Sequence, residues 1–362
     1  MPEFQQHAAS VPPCRLAALV AAIISGFAAS SPAADSAAAA TVAKSTTIID
    51  DLPGAGRLAA PATGQTLYVL DGERRTVVAV DPFAPAKRAI AIDAGAFGGD
   101  AGSPAARPVA IGCIDSNTLA VVCRTDDAWS VRTFNRLPTA RSADDGVAAP
   151  SASPLQNLPL GASAQRTAGD EAAVDVVVSP SREWLTVIGL PPPLPPAVRA
   201  PIAGARSEPF SERRCPRLPA GQRPVAATVS LAEEWVLFIP ESVGDTRRVF
   251  LSFHSSAGSQ RLLHLDSGLA DIRDAACCRG SGTLWVVGGG GSAERPTGLW
   301  RIDAALENGR QAARPVCIAR LEDPLALACL SDRAIAVTVG GPARRVVLIN
   351  PLAGAADGGP TP

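Results

Sequence analysis

The segment PLALACLSDRAIAVTV, Pro324 to Val339, repeats the cadence of PVAIGCIDSNTLAVVC, Pro108 to Cys123, about two hundred residues earlier. Each is an apolar run, a turn of small or polar residues, and a second apolar run. Four further copies follow the pattern: RLAAPATGQTLYVLDG from Arg57, VDVVVSPSREWLTVIG from Val174, PVAATVSLAEEWVLFI from Pro224 and RDAACCRGSGTLWVVG from Arg273. Aligned, they place Ala60, Cys113, Val178, Val229, Cys277 and Cys329 at one equivalent position, at intervals of 53, 65, 51, 48 and 52 residues. A fixed period of this length is the mark of a repeat architecture.

Further short strands follow most copies. RTVVAVDPF and KRAIAIDAG complete a four-stranded meander after the first, RRVFLSFHS and QRLLHLDSG after the fourth, GLWRIDAAL and PVCIARLED after the fifth. The runs are rich in Val, Ile and Leu and are separated by turn residues, and no stretch beyond the N-terminal apolar run sustains a helical period. Four short antiparallel strands per repeat of roughly 40–50 residues describe a blade of a β-propeller. An isolated blade exposes two apolar faces, whereas a closed ring of blades buries both. The reading is therefore all-β: a single propeller of six blades of four strands over residues 45–354, with seven blades as the alternative. The sixth copy lacks an outermost strand, and STTIIDDL (Ser45 to Leu52) belongs to no copy, so this segment is expected to supply it and close the ring.

TLYVLDGERRTVVAVDPFAPAKRAIAI resembles the YVTN family of β-propeller repeats, with RVVLINPLAG and VVVSPSREWLTVIG in the same style. The resemblance implies the propeller fold and leaves activity open, because this architecture hosts many functions.

Two segments interrupt the rhythm. Residues 138–173 are rich in Ala, Ser and Pro and read as a surface loop with one strand near LQNLPLG; residues 191–224 open on a proline run that favours polyproline II. The third blade is accordingly expected to have irregular outer strands. Residues 1–34 read as a cleaved export signal: Arg15, the apolar run Leu16 to Ala29, then a small-x-small site at Ser31 to Ala33. The mature chain would be periplasmic or extracellular, or membrane-anchored if the signal stays uncleaved. Residues 355–362 read as a flexible tail. Basic residues are almost all Arg, with Lys only at Lys44 and Lys87, and this bias matches GC-rich bacterial coding.

The formal net charge is −1, so no global field draws the chain to nucleic acid, and no later segment is long enough to span a bilayer. Seven cysteines follow the signal, an odd number, and three of them (Cys113, Cys277, Cys329) occupy the repeat-equivalent position where other copies carry Ala or Val. They read as small buried hydrophobes. His254 and His264 lie on outer strands, and VVGGGGSAERPTG lacks the residues of a phosphate loop. No metal site, cofactor or catalytic constellation is expected. Asp175 and Asp274 are the few polar exceptions on the inner strands.

Paired arginines recur where third strands begin: Arg74 and Arg75, Arg247 and Arg248, Arg344 and Arg345. Second-to-third-strand turns emerge on the face that also carries the links between blades. These six residues are the candidate ligand-binding set, because guanidinium forks bind carboxylate and phosphate. The expected function is an exported, non-catalytic binding or scaffold module for a protein or an anionic ligand. The alternatives are a propeller enzyme, either a lactonase-like hydrolase or a quinoprotein-like oxidoreductase, and a degenerate component of an envelope assembly.

Overall fold

The computed structural model describes residues 45–98, 105–126, 128–135, 137, 156–162, 174–202, 210–212, 215–218, 222–256, 260–289, 295–307, 310–341 and 344–352. The segments read as signal (1–34) and tail (355–362), and most of 138–173, lie outside these residues. Among the described residues, 23 strands form six antiparallel sheets, and the one helical element is a 3-10 turn at Ala94–Phe97.

The sheets follow the repeats. Blade 1 is β2 (Ala55–Ala59), β3 (Leu67–Asp71), β4 (Thr76–Val80) and β5 (Arg88–Ile92). Blade 2 is β6 (Arg107–Cys113), β7 (Leu119–Arg124), β8 (Ala128–Phe134) and β9 (Gln156–Ala162). Blade 3 has three strands, β10 (Asp175–Val178), β11 (Trp184–Ile188) and β12 (Ala197–Pro201). Blade 4 is β13 (Ala226–Val229), β14 (Trp235–Val243), β15 (Thr246–His254) and β16 (Arg261–Asp266). Blade 5 is β17 (Asp271–Cys277), β18 (Leu284–Gly289), β19 (Gly298–Glu307) and β20 (Arg310–Arg320). Blade 6 takes β21 (Pro324–Ser331), β22 (Ala334–Val339) and β23 (Arg345–Ile349) from the C-terminal part of the chain. Its outermost strand is β1 (Ser45–Ile49), which pairs antiparallel with β23, Thr47 opposite Val347.

The chain is thus a six-bladed propeller closed by its N-terminal strand. The aligned position holds in register in five blades, while in blade 1 pairing ends one residue before Ala60, with Ala59 opposite Tyr68. Cys113, Val178, Val229 and Cys277 are each the last paired residue of an inner strand, opposite Leu119, Leu185, Trp235 and Leu284; Cys329 faces Ile335.

The core is divided into six wedges. Each apolar cluster joins two neighbouring blades: Tyr68 with Ile111 and Phe134, Val122 with Val187, Ile188 with Leu237, Phe238 with Val286, Trp285 with Val337, and Leu67 with Ala336. Ile49, on the closing strand, and Leu52, just beyond it, belong to the last of these. At the same seam Thr338 Oγ1 donates to Gly56 O at 2.8 Å, and Gly64 (φ +63°) brings the first blade's turn against Leu330 O, where a Cβ would lie 2.3 Å away.

The interruptions differ in detail from the sequence reading. β9 is the strand near LQNLPLG. Residues 191–224 are not wholly an insertion, since β12 pairs along β11 within them, with Arg199 forming one further bridge to Ser211. The Gly-rich segment after β18 leads into β19, as a hairpin connection does. No helix among the described residues is long and apolar enough to cross a membrane.

Two substitutions test this packing. Ile49→Ala opens the blade 6–blade 1 wedge and is expected to cost about 2–4 kcal/mol, lowering Tm by roughly 4–8 °C. At Gly112 a Cβ would lie 2.4 Å from Val176 Cγ1 in the next blade. Gly112→Val should therefore destabilise at least as much, while Gly244→Ala, with nothing within 4 Å of the added methyl, costs only what its φ of +60° imposes. Thermal unfolding of the three variants checks the ranking.

Candidate functional site

The inner strands surround the axis, and one layer of them carries charge. Three residues before each aligned position stand Arg57, Ala110, Asp175, Ala226, Asp274 and Ala326. Odd-numbered blades carry a charged residue and even-numbered blades an alanine. Arg57 Nη1 lies 3.4 Å from Asp274 Oδ1. Asp274 also accepts the backbone N–H of Ala275 and, at 2.8 Å, that of Leu327 on the inner strand of blade 6. Asp175 accepts the N–H of Val176.

The Leu327 contact shows why an aspartate is tolerated there. An innermost strand has no neighbour on its axial edge, so its amides need other acceptors. Thr228 Oγ1 does the same for the Cys277 amide, one blade to the next. Burial pushes both carboxyls upward, because desolvation disfavours the charged form. Asp175 is raised to about 7 by burial first and by the neighbouring Asp274 charge second, with Arg57 opposing. Asp274 is raised by burial, with Arg57 and the two amides opposing.

This layer lies between two cavities. The one at the interblade-link face encloses about 620 Å³ and is lined by Arg57, Arg107, Arg273 and Arg344, by the glycines 54, 56 and 72, and among the described residues by no Asp or Glu. Arg273 is held by Asp271 (3.1 Å) and Asp323, and Arg344 donates to Ala55 O at 3.2 Å. The cavity at the opposite face encloses about 310 Å³ and is lined by Asp175, Asp274, Thr228 and the thiols of Cys113, Cys277, Cys278 and Cys329. The three repeat-equivalent cysteines are therefore not uniformly sealed: Cys113 is buried, whereas Cys277 and Cys329 are part-exposed, and all three line this cavity.

Of the six arginines singled out in the sequence, Arg344 alone lines the axial cavity. Arg74 and Arg75 sit in the β3–β4 turn, Arg74 3.8 Å from the buried Asp71 carboxylate and Arg75 at φ +55°. Arg247 and Arg248 lie near the start of β15, Arg248 paired with Asp266; Arg345 begins β23 and is exposed. The lining arginines the sequence reading missed, Arg57, Arg107 and Arg273, lie on inner strands; Arg57 and Arg273 each stand three or four residues before an aligned position. His254 hydrogen-bonds Ser252, and His264 lies 3.2 Å from Glu241, both far out on blade 4. No three His, Cys, Asp or Glu side chains group as a metal site among the described residues.

The sequence matches no protein-family model and no curated relative. Solved structures do match in fold. The PQQ-bound aldose sugar dehydrogenase of Streptomyces coelicolor aligns with TM-score 0.51 and 13% identity over 85% of this chain and 98% of its own. Hydrazine synthase of Kuenenia stuttgartiensis aligns with TM-score 0.52 and 14% identity over 83% of this chain and 78% of its own. At these identities the likeness establishes the propeller fold.

The raised carboxyls have a consequence for stability. With Asp175 raised to about 7, the folded chain keeps that proton over a range in which the unfolded chain has released it, and the upward direction at Asp274 acts in the same sense. Stability therefore falls as pH rises from about 4 to about 7. Asp175→Asn should flatten that slope and be more stable than wild type at pH 8 by on the order of 1–3 kcal/mol. Urea unfolding at pH 5 and pH 8 measures both.

Proposed function

We propose that this propeller is a non-catalytic binding module whose arginine-lined axial funnel holds a small anionic ligand bearing a carboxylate or phosphate. One observation carries the reading: four arginines and three glycines line a 620 Å³ concavity that, among the described residues, no carboxylate lines. Arginine offers carboxylate and phosphate a planar fork of donors, and the glycines let backbone amides approach a ligand. Outside the funnel, Arg75, Arg247 and Arg345 extend the charge outward, whereas Arg248 is paired with Asp266 and Arg74 lies 3.8 Å from Asp71. Residues 1–34 support export, with action in the periplasm or outside the cell.

Titration calorimetry with inorganic phosphate and with citrate, at low and at physiological salt, tests the funnel. Binding should weaken with salt. Arg107→Ala with Arg344→Ala should cost roughly tenfold or more in affinity, the loss expected for charge-assisted hydrogen bonds. Arg75→Ala with Arg248→Ala should leave the small-anion affinity within about twofold, on the ordinary scale of surface substitutions. Absence of binding by wild type, or binding untouched by the funnel variants, overturns the proposal.

A second reading is a propeller enzyme, a lactonase-like hydrolase or quinoprotein-like oxidoreductase. It is favoured by Asp175, a carboxyl on the axis raised to about 7, near the range suited to proton transfer at neutral pH. Turnover of lactones or aldoses by wild type, abolished by Asp175→Asn, would establish it in place of the binding module.

A further inference from the structure

The thiols at the face opposite the arginine funnel have no part in anion binding. Cys278 follows the inner strand of blade 5, and Cys329 stands at the aligned position of blade 6. Both belong to the apolar contact between those blades, and both line the 310 Å³ cavity. Of the four thiols lining that cavity, these two alone pack in one apolar cluster, Cys113 belonging to that of blades 1 and 2, and the Cys329 thiol itself donates to Ser331 O at 3.6 Å. Cys277, the immediate neighbour, leads elsewhere: its thiol donates to Gly282 O at 3.4 Å within its own turn. Cys113 is likewise engaged locally, donating to Asp115 O at 2.8 Å.

We propose that Cys278 and Cys329 are an oxidation site in which a peroxide entering the small cavity converts the two thiols into a disulfide joining blades 5 and 6. The pair is asymmetric in a way that suits the two steps. The neighbouring Cys329 side chain lowers the Cys278 thiol from its ordinary pKa, against burial and Asp332. Cys329 is pushed up and stays a thiol. Burial raises Cys113 to about 12 and Cys277 to about 11, so neither competes as a thiolate.

In the first step the Cys278 sulfur attacks one peroxide oxygen and the O–O bond breaks. The leaving hydroxide takes the proton Cys278 has released and departs as water, leaving a sulfenic acid. The Cys329 sulfur then attacks the Cys278 sulfur. The S–S bond forms, the S–O bond breaks, and the departing hydroxyl takes the Cys329 proton as a second water. Two electrons pass from the thiols to the peroxide, and a dithiol reductant reverses the change. The cross-link joins blades 5 and 6, on the side of blade 6 away from the blade 6–blade 1 closure.

The test uses the reduced full chain and hydrogen peroxide near stoichiometry. Remaining thiols are alkylated in denaturant and the digest is mapped without reduction. The expected result is a Cys278–Cys329 peptide, lost on dithiothreitol, with Tm of the oxidised protein higher by roughly 5 °C. Cys277→Ala should retain the cross-link, and Cys278→Ser and Cys329→Ser should each abolish it. Recovery of both thiols alkylated overturns the proposal. So does Cys278 recovered as sulfinate beside a free Cys329, or a cross-link that uses Cys277. Phosphate titration of the oxidised protein separates this inference from the funnel, because neither result depends on the other.

Discussion

Everything in this molecule depends on each blade burying both of its faces against its neighbours. A four-stranded sheet rich in Val, Ile and Leu on both faces has no stable isolated existence in water. Six such sheets solve the problem jointly only if the ring closes, since an open ring would leave two apolar faces exposed at its ends. Closure therefore falls on blade 6, and the chain closes it with β1, so that one sheet joins sequence positions some three hundred residues apart. The wedge that β1 completes is held by Ile49 and Leu52 with Leu67 and Ala336, and is fastened at the funnel by the bond from Thr338 to Gly56.

Radial packing creates the axial chemistry as a by-product. The innermost strand of every blade has one edge with no strand beside it, so backbone amides face the axis. Thr228 and Asp274 each accept such an amide from the following blade. An aspartate can serve this role only if its charge is offset or neutralised. Arg57 offsets the charge of Asp274, and burial carries both Asp175 and Asp274 toward their neutral forms. A structural need for acceptors thereby places titratable groups midway along the axis.

Much of this could be read in the chain. The repeated cadence located the inner and second strands, and the leftover segment Ser45 to Leu52 contained the closing strand. Asp175 and Asp274 stood out as polar residues on apolar strands. Their relation to Arg57 was hidden because it runs between blades, and a linear pattern shows only neighbours within one. Counting back three residues from the aligned cysteines would have revealed the alternation of charge and alanine. The paired arginines misdirected attention outward for a geometric reason. A turn between second and third strands lies at a larger radius than the start of an inner strand, so Arg57, Arg107 and Arg273 reach the funnel while of the paired arginines only Arg344 lines it. Blade 3 was obscured by prolines: β12 is flanked by Pro196 and ends on Pro201, a composition that reads as connector.

The two ends of the axis also differ in what a side chain there can do. At the interblade-link end the inner strands begin, and arginines with long stems can place charge over a wide opening. At the opposite end the strands finish in tight turns, and the aligned position admits only small side chains, which is where Cys alternates with Ala and Val. Cysteine is the small apolar residue that also carries redox and nucleophilic chemistry. A blade-to-blade contact at that position needs no rearrangement of the fold to bring two thiols together, since the packing that closes the ring has already done so. An arginine-lined mouth at one end and a cysteine-lined one at the other then follow from one radial arrangement, separated by the Arg57–Asp274 layer.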